Sequence, residues 1–505
     1  MSSIYVKILY VVALGLALAA CGGSSSSSSN PDPIAVEPSL APTLVPETAP
    51  DTPEPVVTIP TSEPVVTIPT LDPLAVDVND LSALADFPVG VALTTYTAGG
   101  QTPRTEDIAR SSGERHDKRV AIVNQHFNAV SATNAFKMKS LQRNYHEFYF
   151  GACDTAFTPR QGNEAAFDPG DAQCFLDFAN DNNINDRHMH ALLWYRQSPN
   201  WLRGGSLQQT LSNLKAADDS FEFDGTADRM EYLHELNYHI DNVVCEYSND
   251  FTSMDVVNEV FSDYGYNGGS NPTGLRNPAF DAEPNPDDEP KRMHWHLQMA
   301  DNETGNDGSD YIEIAFRRAA AALAGNAPLA ENGCSAAANK VDLYLNDYQL
   351  VVNSAKRQVF KDYLARWEAA EPRVPIDGVG IQMHYNPDFN AAFTPENVRA
   401  GIRDLATTGL KIRILEMDVR GDTDGDQQLS DAEKLAQKDV YQAIIEAYME
   451  EVPPAQKGGV TFWGVSDAQS WLAYTLPLLF DGNLDPKPAL QGVADGFAAE
   501  YTVPE

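Results

Sequence analysis

From about residue 84 onward the chain alternates short apolar runs with longer stretches whose apolar residues recur at intervals of three and four. The short runs are FPVGVAL (87–93), HFNAVSA (126–132), HMHALLW (188–194), SMDVVNE (253–259), VDLYLND (341–347), GVGIQMH (378–384), IRILEMDV (412–419) and GVTFWGVSD (459–467). Their length and apolar content mark buried strands. Segments between them, such as YIEIAFRRAAAALAG and KLAQKDVYQAIIEAYMEE, carry an apolar stripe of helical period that needs a core to cover it. Eight strand and helix units in one α/β chain predict a (β/α)8 TIM barrel, and no GxGxxG or Walker loop supports a doubly wound sheet instead. The stretches 145–175 and 262–310 exceed what a minimal barrel needs. In this architecture loops after the strands build the binding face, so these two are expected to shape a groove.

The N-terminal part lacks this pattern. Lys7 precedes the apolar stretch ILYVVALGLALAA and Cys21. The stretch is well short of the roughly 20 residues that span a bilayer, so it reads as a signal peptide. The run LAAC resembles a bacterial lipobox, in which the cysteine is lipidated; the other reading is an ordinary secretory signal with an incidental cysteine. A six-serine tract, Ser24–Ser29, and a near repeat of EPVVTIPT at 54–61 and 63–70 follow. Such composition cannot bury a core, so it reads as a flexible stalk. The expected division is a lipoprotein signal over 1–20, a Ser/Pro-rich disordered linker over 21–76 and a catalytic barrel over 77–505. The protein is expected to be exported, a monomer, and held to the bacterial cell envelope, at the outer membrane or cell surface, by that lipid alone.

The formal charge of −37 carries no basic stripe, which argues against nucleic-acid partners and anionic membranes. Four cysteines besides Cys21 allow two disulfides in three pairings, and Cys153 with Cys174, inside one inserted segment, is the favoured pair. None lies in a CxxC pair, which argues against metal or redox use.

Two strands end their apolar runs in a carboxylate, MDVVNE at Glu259 and KIRILE at Glu416. The C-terminal strand ends of a parallel barrel converge, so these carboxylates can face each other across a bound sugar, the requirement of glycoside hydrolysis. Along nearly all of residues 84–495 the chain resembles glycoside hydrolase family 10, the retaining endo-β-1,4-xylanases. The matching runs are FPVG, HFNAVSATNAFKMKSL, HMHALLWYRQSPNWL, DVVNE, DYIEIAFRRA, LYLNDY, IDGVGIQMHY, ILEMDV, TFWGVSDAQSWL and PLLFDGNLDPKPAL. The resemblance implies that Glu259 is the general acid/base and Glu416 the nucleophile. It places Asn258 on the sugar 2-hydroxyl, Gln382 near the nucleophile, and His384 between Glu416 and a supporting Asp418. It assigns His190 and Trp194 to the −1 sugar, Asn134 and Lys137 to the −2 sugar, Gln197 to substrate, and Trp463 and Trp471 to an apolar lid. The implied partner is xylan or a xylo-oligosaccharide, with no cofactor required for catalysis.

The chain departs from that pattern at four places. Thr133 stands where the family's Glu-Asn pair has its carboxylate, Met189 replaces a glycine, Tyr195 a histidine, and Met254 a frequent tryptophan. Thr133 and Tyr195 keep open another β-1,4-glycan, such as mixed-linkage glucan; the rival of another class is a non-catalytic surface glycan binder, against which the presence of Glu259, Glu416, His384 and Asp418 argues.

One motif lies outside the catalytic set. Asp422, Asp424, Asp426, the Gln428 carbonyl, Ser430 and Glu433 fall at positions 1, 3, 5, 7, 9 and 12 of an EF-hand-like loop, with Gln427 where glycine is usual. The readings are a structural Ca2+ site or a solvated acidic loop capping the next helix. The pairs His188 with His190 and His294 with His296 lack a nearby third ligand and carry no zinc assignment.

Overall fold

Nine apolar runs become parallel strands: β1 (Val89–Leu93), β2 (Ala129–Ala132), β3 (Asp186–Met189), β4 (Leu193–Trp194), β5 (Ser253–Asn258), β6 (Asp342–Tyr348), β7 (Gly378–Tyr385), β8 (Lys411–Val419) and β9 (Lys457–Phe462). The computed structural model describes residues 72–94, 108, 112–153, 170–203, 206–281, 292–301 and 303–501. The signal peptide, Cys21 and all of the linker before residue 72 lie outside the described residues.

β1 pairs with β2 and β9, and the ladder continues β9–β8–β7–β6–β5; β3 bonds to both β2 and β5 and closes the ring. The predicted (β/α)8 barrel is therefore present, with β3 and β4 as two pieces of one barrel strand. The continuous run expected at 188–194 breaks because Met189 pairs with Met254 and Leu193 with Val257, so three residues, 190–192, stand opposite two of β5. Val256 is an extra residue in β5, between the pairs Asp255–Tyr344 and Val257–Leu345, and the neighbouring chain rejoins only when Leu192 N–H donates to the Asp255 carbonyl. The last strand stops at Phe462, short of the expected 467, because Gly464 takes φ 139° and turns the chain over the barrel mouth.

The helices begin where local chemistry lets them. Asp228 and Glu231 form a capping box at the start of Arg229–Tyr247, and Ser430 with Glu433 form another ahead of Asp431–Glu451. Thr394 caps Pro395–Ala406, whose proline occupies the first turn, where no amide donor is required. The stretch read as YIEIAFRRAAAALAG is helical over Tyr311–Leu323 and packs Ile312, Ala315, Phe316 and Ala319 onto the core.

Two disulfides staple the outer layer. Cys153 bonds to Cys174, and Cys245 on the Arg229–Tyr247 helix bonds to Cys334. The second closes 89 residues of chain. By loop-closure entropy it stabilises the fold by about 4–5 kcal/mol, against about 3 kcal/mol for the shorter loop. The double variant Cys245→Ala/Cys334→Ala should accordingly lose more stability in denaturant unfolding than Cys153→Ala/Cys174→Ala. The reverse order would show that native packing, not loop closure, sets the contribution.

Candidate active site

The two strands that carry the candidate pair share a device: each holds one extra residue just before its chemistry. In β8 the extra residue is Leu415, between the pairs Ile381–Ile414 and Gln382–Glu416. In β5 it is Val256, two residues before Asn258. A bulge re-aims the side chains that follow it.

Glu416 is buried, 4% exposed, and both of its oxygens are engaged. Oε1 accepts from Asn346 Nδ2 at 2.9 Å, and Oε2 lies 3.3 Å from His384 Nε2. His190 Nδ1 stands 3.8 Å from Oε1. Burial by itself would raise this carboxyl's pKa, but the imidazoles of His190 and His384 together outweigh it and hold the group below the ordinary carboxylate range. His384 is gripped on its other side by Asp418, Nδ1 to Oδ2 at 2.8 Å. Burial pushes the imidazole down, yet Asp418 and Glu416 outweigh that effect and lift it to about 10. At neutral pH His384 is therefore an imidazolium donating from both nitrogens. Trp471 donates from Nε1 to the same Asp418 oxygen at 3.0 Å and leaves its indole 60% exposed at the mouth.

Glu259 sits one residue past β5 in the left-handed region, φ 54°, an unfavourable place for a side chain that costs of order 1–3 kcal/mol. Its surroundings hold it there. The Glu259 amide donates to the Asn346 carbonyl at 2.9 Å, Arg276 Nε reaches the Glu259 carbonyl at 3.4 Å, and the Phe261 amide donates to buried Asp347 at 3.1 Å. Asp347 is in turn paired with fully buried Lys356 at 2.7 Å. Gln382 Nε2 donates to Glu259 Oε1 and to Asn258 Oδ1, both at 3.1 Å, tying the acid strand to the nucleophile strand's neighbour.

The predicted sugar-binding residues also converge. Lys137 Nζ and Gln197 Nε2 donate to Asn134 Oδ1 at 3.1 and 3.2 Å, and Lys137 stands 4.4 Å over the Trp194 ring. Burial lowers the Lys137 ammonium to about 8, the carboxylates of Glu416, Glu259 and Asp255 offsetting only part of that cost. Trp463 packs edge-on against His190 at 5.3 Å. Asn258 Nδ2 and Trp194 Nε1 are buried donors with no acceptor in the protein, a debt that a hydroxyl-rich ligand can settle.

Two residues central to this geometry escaped the sequence reading. Asp255, 0% exposed, accepts from His190 Nδ1 at 2.7 Å and from Asn346 Nδ2 at 3.1 Å, with His188 Nε2 at 3.1 Å. Burial opposes its charge, but His188 and His190 prevail and hold it at about 2. Asn346 bridges Asp255 and Glu416. Their signal in the sequence was a polar residue in the middle of an apolar strand. His188 and His190 thus serve one carboxylate.

The acidic loop is only partly assembled as a cation site. Asp422, Asp424 and Asp426 bring carboxylate oxygens within 4.8 Å of one another, and Gln427 adopts φ 61° despite its side chain. Glu433 lies outside that cluster, its oxygens accepting from Thr423 and from the Ser430 cap. Asp422 N–H and Gly421 N–H both donate to Thr475 O at 2.9 Å, anchoring the loop to the segment that follows Trp471. The three aspartates fit a hard, oxygen-seeking cation.

The family model "Glycosyl hydrolase family 10" matches residues 100–496. Endo-1,4-beta-xylanase A of Cellvibrio japonicus (strain Ueda107) is 31% identical over 440 residues, covering 83% of this chain and 57% of that protein. Endo-beta-1,4-xylanase Xyn10C of Cellvibrio japonicus is 30% identical over 438 residues, covering 82% of this chain and 56% of that protein. The chain thus spans a little over half the length of these relatives. A solved structure, a mutant of xylanase10C from Cellvibrio japonicus in complex with xylopentaose, superposes with TM-score 0.60 at 27% identity, covering 84% of this chain and 69% of the other.

The charge on His384 can be tested directly. Ring NMR of the native protein should show His384 titrating near 10, and Asp418→Asn should bring the midpoint down by one to three units. Because the folded value is raised, the stabilisation that this histidine contributes is complete below about 6.5, its ordinary value, and fades as pH rises through about 10. A native midpoint near 6.5 would refute the arrangement.

Proposed function

The chain belongs to glycosyl hydrolase family 10, and from that premise we propose that it is a retaining endo-β-1,4-xylanase that cuts internal bonds of xylan. The observation that carries the proposal is the unequal setting of the two carboxylates. Glu416, held below the ordinary range by flanking imidazoles, is ionised and oriented as a nucleophile needs to be. Glu259, half-buried and held by a hydrogen bond from Gln382, takes the acid/base role.

In the first step Glu259 gives its proton to the glycosidic oxygen while Glu416 forms a bond to the anomeric carbon and the aglycone departs. In the second, Glu259 takes a proton from water, the hydroxide adds to the anomeric carbon, and Glu416 is released as carboxylate. Two inversions retain the configuration. Asn258, with its unpartnered Nδ2, bonds the 2-hydroxyl; Asn134, Lys137 and Gln197 hold the −2 sugar; and His190, Trp194, Trp463 and Trp471 bound the −1 site. The xylanase names of the relatives and the neighbour's xylopentaose complex support xylan as the substrate.

A second reading, activity on mixed-linkage glucan, draws on Thr133. Its hydroxyl lies 3.4 Å from Leu93 O and Thr94 Oγ1, and it supplies no carboxylate beside Asn134. The LAAC run supports an exported, lipid-anchored protein, and Asp422, Asp424 and Asp426 support a structural Ca2+ that braces the loop tied to Thr475.

Reducing-sugar release from glucuronoxylan should be robust for the native protein, should fall by ~10²–10⁴-fold in Glu259→Gln, and should reach background in Glu416→Ala. Proton NMR of the fresh products should show the β-anomer first. Release from mixed-linkage glucan alone would move the assignment to the second reading, and no release from either polymer by folded protein would sink both. Ca2+ should raise the Tm of the native protein but not of Asp424→Asn; equal shifts would remove the loop as the site.

A further inference from the structure

Away from the barrel mouth, His146, His234 and Glu235 each present a donor atom, and these atoms lie within 4.8 Å of one another. Two of them sit on consecutive residues of the Arg229–Tyr247 helix, and the third comes from the segment after the short helix Met138–Leu141. The proposed catalytic machinery uses none of them.

The geometry is that of a ligand set more than of a simple ion pair. His146 Nε2 stands 3.1 Å from Glu235 Oε1. Two ligands at about 2.0–2.1 Å from a tetrahedral zinc are themselves about 3.3 Å apart, so this pair is already spaced to share one ion. The His146 ring is clamped between the rings of Tyr145 and Tyr238, each at 3.9 Å, and its backbone takes φ 53° to enter that slot. His234 lies one helical turn before Tyr238, stacks on it at 6.1 Å and faces His146 at 5.8 Å.

The second observation concerns the carboxylate. The Glu235 side chain is 2% exposed with His146 and the Tyr145 hydroxyl as neighbours, and its Oε2 has no donor in good hydrogen-bond geometry among the described residues. A buried carboxylate oxygen without a donor is costly, and a cation is the partner that settles it most fully. Two imidazole nitrogens and one carboxylate oxygen suit a divalent transition ion and not calcium, which takes oxygen ligands.

We propose that His146, His234 and Glu235 bind one divalent transition-metal ion of the zinc class, with the exposed side of His234 leaving a fourth position for water. The ion ties the segment following Lys137 and Met138–Leu141 to the Arg229–Tyr247 helix. It takes no part in glycoside chemistry.

The test is titration of the untagged, metal-stripped full-length protein with Zn2+ by calorimetry and native mass spectrometry, with Tm followed in parallel. One equivalent should bind and raise Tm, and Co2+ in its place should give visible absorption bands of low coordination number. His234→Ala changes an exposed residue, so its metal-free Tm should match the native value while zinc affinity falls by about 100-fold or more. His146→Gln should lose zinc affinity by a similar factor, while its metal-free Tm falls because buried Glu235 loses its ion-pair partner. Asp424→Asn should retain the equivalent, which separates this site from the acidic loop. No binding by native protein would overturn the proposal and leave His146 and Glu235 as an ion pair. Undiminished binding in His234→Ala, or its loss in Asp424→Asn, would overturn it equally.

Discussion

Asp255 makes no contact with water, and the arrangement around Glu416 depends on it. One carboxylate takes bonds from His190 and Asn346 and stands 3.1 Å from Nε2 of His188, an imidazole whose own charge burial disfavours. The same His190 and Asn346 face Glu416 on their other sides. Removing Asp255 would leave His190 Nδ1 buried without its acceptor, a cost of about 1–3 kcal/mol, and would free the rotamers of His190 and Asn346 that set Glu416. The barrel can carry an anion so deep because two imidazoles and an amide surround it. It then uses that anion to orient the groups that hold a second one.

The charges at the mouth alternate. Asp418 lifts His384 into its charged form, His384 with His190 keeps Glu416 ionised, and Lys137, lowered by its own burial, stands among Glu416, Glu259 and Asp255. Each ion compensates the desolvation of its neighbour, so the set behaves as one unit and no single member can be removed without moving the others. A chain with formal charge −37 adds a long-range negative field that works against placing another carboxylate here. The local cations are what make the site tolerable in that field.

Much of this was legible in the amino-acid order. Apolar runs that close on Glu259 and Glu416 stand out because a carboxylate after an apolar run has no core role to explain it. The eight barrel strands were readable for the same reason. What escaped was whatever depends on register. The extra residues Val256 and Leu415 are ordinary aliphatics, and nothing in their identity marks a bulge. The break within 188–194, where three residues stand opposite two of β5, was hidden in the same way. Asp255 and Asn346 lay inside strands, where a polar residue reads as a blemish until the ladder shows what it faces.

Tyr195 shows how a departure from a family pattern can be absorbed. It is 7% exposed, stacks on His294, and has the guanidinium of Arg276 at 4.9 Å and that of Arg196 at 5.4 Å from its ring; its hydroxyl accepts from Arg196 Nε at 2.8 Å. Arg276 is also the residue that reaches the Glu259 carbonyl and pairs with Asp263, which in turn meets Lys356. The tyrosine is thus a wall of the scaffold around Glu259, its ring holding Arg276 by cation–π contact. A substitution beside the acid that looks like a threat to chemistry is, in its setting, part of what holds the acid in place.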